Sequence, residues 1–122
     1  MASERLEALF KFIPVLESSA LKDAHSVYIT TGEYSPPVRD LHHCLTSLAL
    51  GAENTDWLGA VDQARPYLQD PEKILTADSA TLDRLISIAT YSEKFNKSLF
   101  PYLCSSGFML ALLRRMQISS QN

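Results

Sequence analysis

The chain has only 2 cysteines, Cys44 and Cys104, among 122 residues, and no Cys-x-x-Cys pair. A disulfide framework or a four-ligand zinc site needs more thiols at closer spacing, so both are expected as free, buried thiols in a reducing compartment. Glycine is scarce too, at 4 residues, and none belongs to a Gly-rich loop whose backbone N–H groups would cradle a phosphate. A nucleotide cofactor is therefore not expected, nor is any other cofactor. Long apolar runs are absent: the longest, Phe108 to Leu113, is far too short to cross a bilayer. The start, Met1-Ala2-Ser3-Glu4-Arg5, lacks the basic start and apolar stretch of a signal peptide. These absences predict a cytoplasmic protein with no membrane partner.

What remains is ordinary globular composition, with 46% hydrophobic and 20% charged residues. A chain of this size buries a core without staples, so a single helical domain over 1–122 is expected, with a frayed tail at 118–122. The net charge of -3 is unevenly spread: residues 1–61 carry four basic and eight acidic side chains, residues 62–122 seven and six. From Arg84 onward, Arg84, Lys94, Lys97, Arg114 and Arg115 face only Glu93. That is a mildly basic C-terminal third, far from the pI above about 9 of a dedicated nucleic-acid binder.

Helical periodicity runs along most of the chain. Ser3 reads as an N-cap before Leu6, Leu9, Phe10 and Ile13, and Pro14 should end or kink that helix, which reaches about Glu17. Ser35 or Pro36 opens a second helix with Val38, Leu41, His42, Leu45, Leu48 and Ala49 on one stripe and Gly51 as its left-handed stop. Asn54-Thr55-Asp56 offers the next cap, followed by Trp57, Ala60, Val61, Ala64, Tyr67 and Leu68 in phase through Pro66. Asp70-Pro71-Glu72 starts a short helix through Ile74 and Leu75, and Ser79 another with Leu82, Leu85, Ile86 and Ala89 inward. Breaks are expected at Pro101 and Ser106-Gly107. The segment at residues 21–37 reads differently, because Val27 to Thr31 are β-branched or aromatic and Gly32, Ser35, Pro36 and Pro37 are turn formers. The fold class is thus all-α: a compact bundle of about five to seven short helices with one extended or looped segment near 21–37.

The run Phe108-Met109-Leu110-Ala111-Leu112-Leu113 is apolar on every helical face. Such a helix is either central and wrapped by the others, or has an outer face covered by another chain.

The ordered pairs Asp56-Trp57, Asp70-Pro71, Ala77-Asp78, Thr81-Leu82, Lys94-Phe95, Ser106-Gly107 and Leu113-Arg114-Arg115 resemble the pattern of a small bacterial family known only as a domain of unknown function. The resemblance covers roughly the last two-thirds of the chain and implies a compact helical fold with no assigned reaction. The chain departs from it in having Tyr91 two residues before Glu93, where an arginine is usual, and Lys97-Ser98 in place of an acid-glycine pair. In size, helical character and apolar surplus alone, the chain is also similar to quorum-sensing anti-activators of the QslA kind, which sequester a LuxR-type transcription factor.

Chemistry has few footholds. His42-His43-Cys44 looks like a metal cluster, but neighbours on a helix diverge, whereas ligands want spacing i, i+3 or i+4. A half-buried His42 with His43 at the surface is expected, and no metal site. Cys104, Ser105 and Ser106 lack an elbow motif, and Asp78 with Asp83 complement a helix start, so no catalytic residue is assigned. An enzyme would instead reveal a polar pocket holding side chains of perturbed pKa.

The expected function is that of a non-enzymatic regulatory protein that occludes a partner protein, an anti-activator on a transcriptional regulator being one example, and that is itself a homodimer. The expected partner-binding residues are Val27, Tyr28, Ile29, Tyr34, Tyr102, Phe108, Met109, Leu110 and Leu113. Nucleic-acid binding by the basic C-terminal third is the alternative and an uncharacterised enzyme the second.

Overall fold

The computed structural model describes residues 2–18, 21–48 and 57–120. The expectations placed on Ala49, Gly51, Asn54-Thr55-Asp56 and the side chains of Trp57, Ala60 and Val61 lie outside the described residues. The fold is all-α, and among the described residues no strand occurs and no helix is long and apolar enough to cross a membrane.

Helix α1 (Ala2–Phe10) and helix α2 (Ile13–Glu17) replace the single N-terminal helix expected. The break falls at Lys11-Phe12 because Pro14 has no N–H to donate and its ring crowds the carbonyl four residues earlier. Ser3 lies inside α1, which begins at Ala2. Helix α3 (Ala24–Thr31) leads through Gly32 to α4 (Pro36–Leu48), where Val38, Leu41 and Leu45 are fully buried as their spacing predicts. Helix α5 (Trp57–Gln69) carries Pro66 within it, and a 3-10 helix (Pro71–Thr76) follows.

Helix α6 (Ser79–Thr90) is capped by Asp78, whose carboxylate accepts from the Thr81 backbone N–H at 2.8 Å. That hydrogen bond holds the Asp78 carboxyl below its usual range. Leu82, Leu85, Ile86 and Ala89 all point inward. After the single turn α7 (Ser92–Phe95) comes α8 (Leu99–Ser106). Pro101 does not break the chain: it sits in the first turn of α8, where its missing N–H has no intrahelical partner to lose. Gly107, at φ 94°, ends α8 in the left-handed region.

The last helix, α9 (Phe108–Ser120), is the centre of the fold. Phe108, Met109, Leu112 and Leu113 are fully buried, with Ala111 and Met116 nearly so. The helix packs against α1, α2, α6, α8 and the 3-10 helix. Of the two readings its all-round apolar character allowed, the central helix is the one realised. Burying each of its large side chains contributes about 1.5–3 kcal/mol. Phe108, Met109 and Leu113 are therefore core residues and not surface anchors, which corrects their expected role in partner binding. The helix continues to Ser120.

The expected extended segment is corrected as well: Val27 to Thr31 is helical. Strand propensity is a weak preference that packing overrides. Leu21 and Ala24 bury one face, α3 packs on α8, and Gly32 at φ 75° supplies the stop, its N–H donating to the Tyr28 carbonyl at 2.7 Å. The Thr31 hydroxyl donates back to the Val27 carbonyl at 2.8 Å, closing the last turn locally.

Candidate binding site around helix α3

Helix α3 contains no formally charged residue over its whole length, Ala-His-Ser-Val-Tyr-Ile-Thr-Thr. Its outer face nevertheless meets solvent: Ile29 is 64% exposed, and Ser26, Thr30 and Thr31 are exposed beside it. One turn back from Ile29, His25 meets the Tyr102 ring of α8 edge-on at 5.7 Å. Tyr102 is itself 41% exposed. Val27, Tyr28 and Tyr34 are half-buried. Of the expected contact residues, Val27, Tyr28, Ile29, Tyr34 and Tyr102 thus belong to α3, its exit and the helix beneath it, while half-exposed Leu110 lies elsewhere, in a groove with Leu75 and Pro71.

The exit of α3 also forms one wall of a cleft of about 400 Å³, lined by Tyr28, Glu33, Tyr34, Arg39, Glu93 and Lys97, with Gly32 at its edge. Aromatic packing builds this wall. The Tyr34 ring tilts against Tyr28 at 5.4 Å and against Phe100 at 6.2 Å, and meets His42 edge-on at 5.9 Å. His42 in turn meets Phe100 edge-on at 4.8 Å. Such tilted and edge-on contacts place ring edges against ring faces, where the quadrupoles attract.

The Tyr34 hydroxyl donates to the Lys97 carbonyl at 2.7 Å, tying the α3–α4 connection to the turn before α8. That turn is held from within by Asn96, whose side-chain oxygen accepts from the backbone N–H and the hydroxyl of Ser98. Burial, and after it the hydrogen bonding and charge of the neighbouring Glu93 carboxylate, push the Tyr34 phenol far above its usual value, so the phenol stays protonated.

Next to Tyr34, His42 Nε2 lies 3.7 Å from Glu93 Oε2. The histidine side chain is 16% exposed, the glutamate 37%. His42 Nε2 is occluded from solvent and has no hydrogen-bond partner among the described residues. Burial lowers the His42 pKa; the Glu93 carboxylate opposes that shift and the adjacent His43 adds to it. His43 itself is at the surface, the arrangement expected of the pair.

Sequence reasoning named His42, Glu93 and Lys97 but had no means of joining them, and it gave no role to Glu33 or Arg39. The one local signal was the apolar spacing Leu21, Ala24, Tyr28, a helical i, i+3, i+7 pattern that Gly32 terminates. Elsewhere, Cys104 is buried and its thiol is pushed up to about 12 by that burial. Partly buried Cys44 is also raised by burial. Two of the C-terminal cations are engaged: Arg114 pairs with Glu17 at 3.0 Å, and Arg115 Nε donates to the Ala77 carbonyl at 3.0 Å.

These features define a small all-helical domain whose distinctive surface is an uncharged helix beside a mixed-charge aromatic cleft. The chain belongs to a family of unknown function (DUF6508), whose family model matches residues 1–122. The resemblance carried by the last two-thirds of the sequence therefore extends over the whole chain. No curated protein and no solved structure matches it, and the likeness to QslA-type anti-activators gains no support from these comparisons.

Proposed function

We propose that this is a non-enzymatic regulatory protein of the cytoplasm that works by covering a surface of another protein chain, and that α3 with Tyr102 of α8 is the contact face. The observation that carries this reading is Ile29, 64% exposed on the outer face of a helix with no charged residue. Solvated helix faces usually carry charge, whereas the buried centre of a protein interface is depleted of it and enriched in tyrosine. His25, Ile29 and Tyr102 supply that composition, and burying them against a partner displaces no ion.

A second copy of the chain is the simplest occupant, because an uncharged face packs on itself across a two-fold axis without bringing like charges together. Sequestration of a transcriptional regulator, as an anti-activator would perform it, uses the same face on a different partner. Sedimentation of the wild type and of Ile29→Arg tests this: the wild type is expected as a dimer and the variant as a folded monomer. A wild type that stays monomeric up to near-millimolar concentration overturns the dimer.

A second reading has one observation in its favour. The cleft at Tyr34 holds groups of perturbed pKa in a polar setting, the mark expected of an enzyme or a ligand site. The nucleic-acid reading is weakened by the engagement of Arg114 and Arg115 within the fold.

A further inference from the structure

The cleft beside α3 carries both signs of charge around an aromatic wall, and its charges are not spent on each other. Arg39, in the first turn of α4, and Lys97, in the turn before α8, both line it. Among the described residues neither side chain forms an ion pair. Glu93 faces the same space, half-exposed, with its other neighbour a histidine whose burial favours the neutral form. Tyr28 and Tyr34 form the apolar side.

Two cations and two acids, Glu33 and Glu93, leave the cleft without net charge, so a polyanion such as a nucleotide or a bare phosphate would be drawn by one pair and repelled by the other. A ligand that carries one charge of each sign on a small frame satisfies both pairs at once. The volume of about 400 Å³ falls within the range of small-molecule sites. The walls are also fixed before any ligand arrives: the Tyr34–Lys97 hydrogen bond and the Asn96–Ser98 turn hold the two sides in register, which reduces the ordering cost of binding.

We propose that this cleft binds a free aromatic α-amino acid, with the carboxylate between Arg39 and Lys97, the ammonium on Glu93 and the ring against Tyr28 and Tyr34. The site is separate from the Ile29 face and does not depend on it, so the Ile29→Arg variant is expected to bind the ligand as the wild type does.

The test is calorimetric titration of the full chain with L-phenylalanine and L-tryptophan, and with the N-acetyl and carboxamide derivatives of each. Binding of at least one free amino acid is expected. Removing either charge from the ligand should weaken it by about tenfold, since a charge-assisted hydrogen bond is lost. Arg39→Ala and Glu93→Gln should each produce a similar loss with the free amino acid. Arg39 is exposed, so its removal does not threaten the fold, and far-ultraviolet dichroism verifies that for Glu93→Gln. The proposal is overturned if neither amino acid binds, if the N-acetyl derivative binds as well as the free amino acid, which would reduce the cleft to an anion site, or if binding survives both substitutions.

Discussion

His42 of α4 and Glu93 of α7 place Nε2 and Oε2 3.7 Å apart beside Tyr34, close enough to attract when the histidine is charged and too far for a good hydrogen bond when it is neutral. Burial dominates that balance and holds His42 below the ordinary histidine value of about 6.5. The unfolded chain therefore takes up a proton at this position before the native one does. Stability from this site is complete above about pH 6.5 and declines as the pH falls through it.

The expected outcome is a lower urea midpoint at about pH 5.5 than at about pH 7.5. Replacing His42 with Leu should flatten the difference, because the titrating group is gone and its Nε2 leaves no hydrogen-bond partner stranded among the described residues. Glu93→Gln should steepen it, since the attraction that partly offsets burial is removed. An acid-insensitive wild type, or a Glu93→Gln profile shallower than wild type, would contradict this assignment.

Met109 is fully buried in α9, so Met109→Ala should destabilise by about 2–5 kcal/mol through lost contact and the cavity left behind. Met109→Arg should prevent folding altogether, because the core supplies no partner for a buried guanidinium. Equilibrium denaturation followed by circular dichroism measures both. A Met109→Arg protein that folds and merely changes its association state would restore the surface role that the sequence suggested.

The two thiols should react in a fixed order. Cys104 is buried with its thiol pushed up to about 12, whereas Cys44 is only partly covered. A thiol-specific chromogenic reagent should label Cys44 first and reach Cys104 only as the protein unfolds. Rapid labelling of Cys104 under native conditions would mean that α8 opens locally.

How far the sequence revealed this arrangement depended on whether its signals were local. The stripes Val38-Leu41-Leu45 and Leu82-Leu85-Ile86-Ala89 marked α4 and α6 because a 3.6-residue period is written into adjacent turns. The apolar run of α9 marked burial but not what did the burying, since a central helix and a dimer interface need the same side chains. Helix α3 was obscured by Val27, Ile29, Thr30 and Thr31, whose β-branching outweighed the Leu21-Ala24-Tyr28 spacing until packing on α8 was known. The cleft could not be read at all: Arg39, Glu93 and Lys97 meet only because Tyr34 ties two distant connections together, and no period or motif records a contact of that kind.

The central claim, that the uncharged face of α3 is covered by another chain, is tested most directly by amide hydrogen exchange at residues 24–31 as a function of protein concentration. Exchange there should slow as the concentration rises from micromolar to near-millimolar, while α6, which is not part of the face, stays unchanged. Rates at 24–31 that are independent of concentration, or that slow equally in the Ile29→Arg variant, would contradict it.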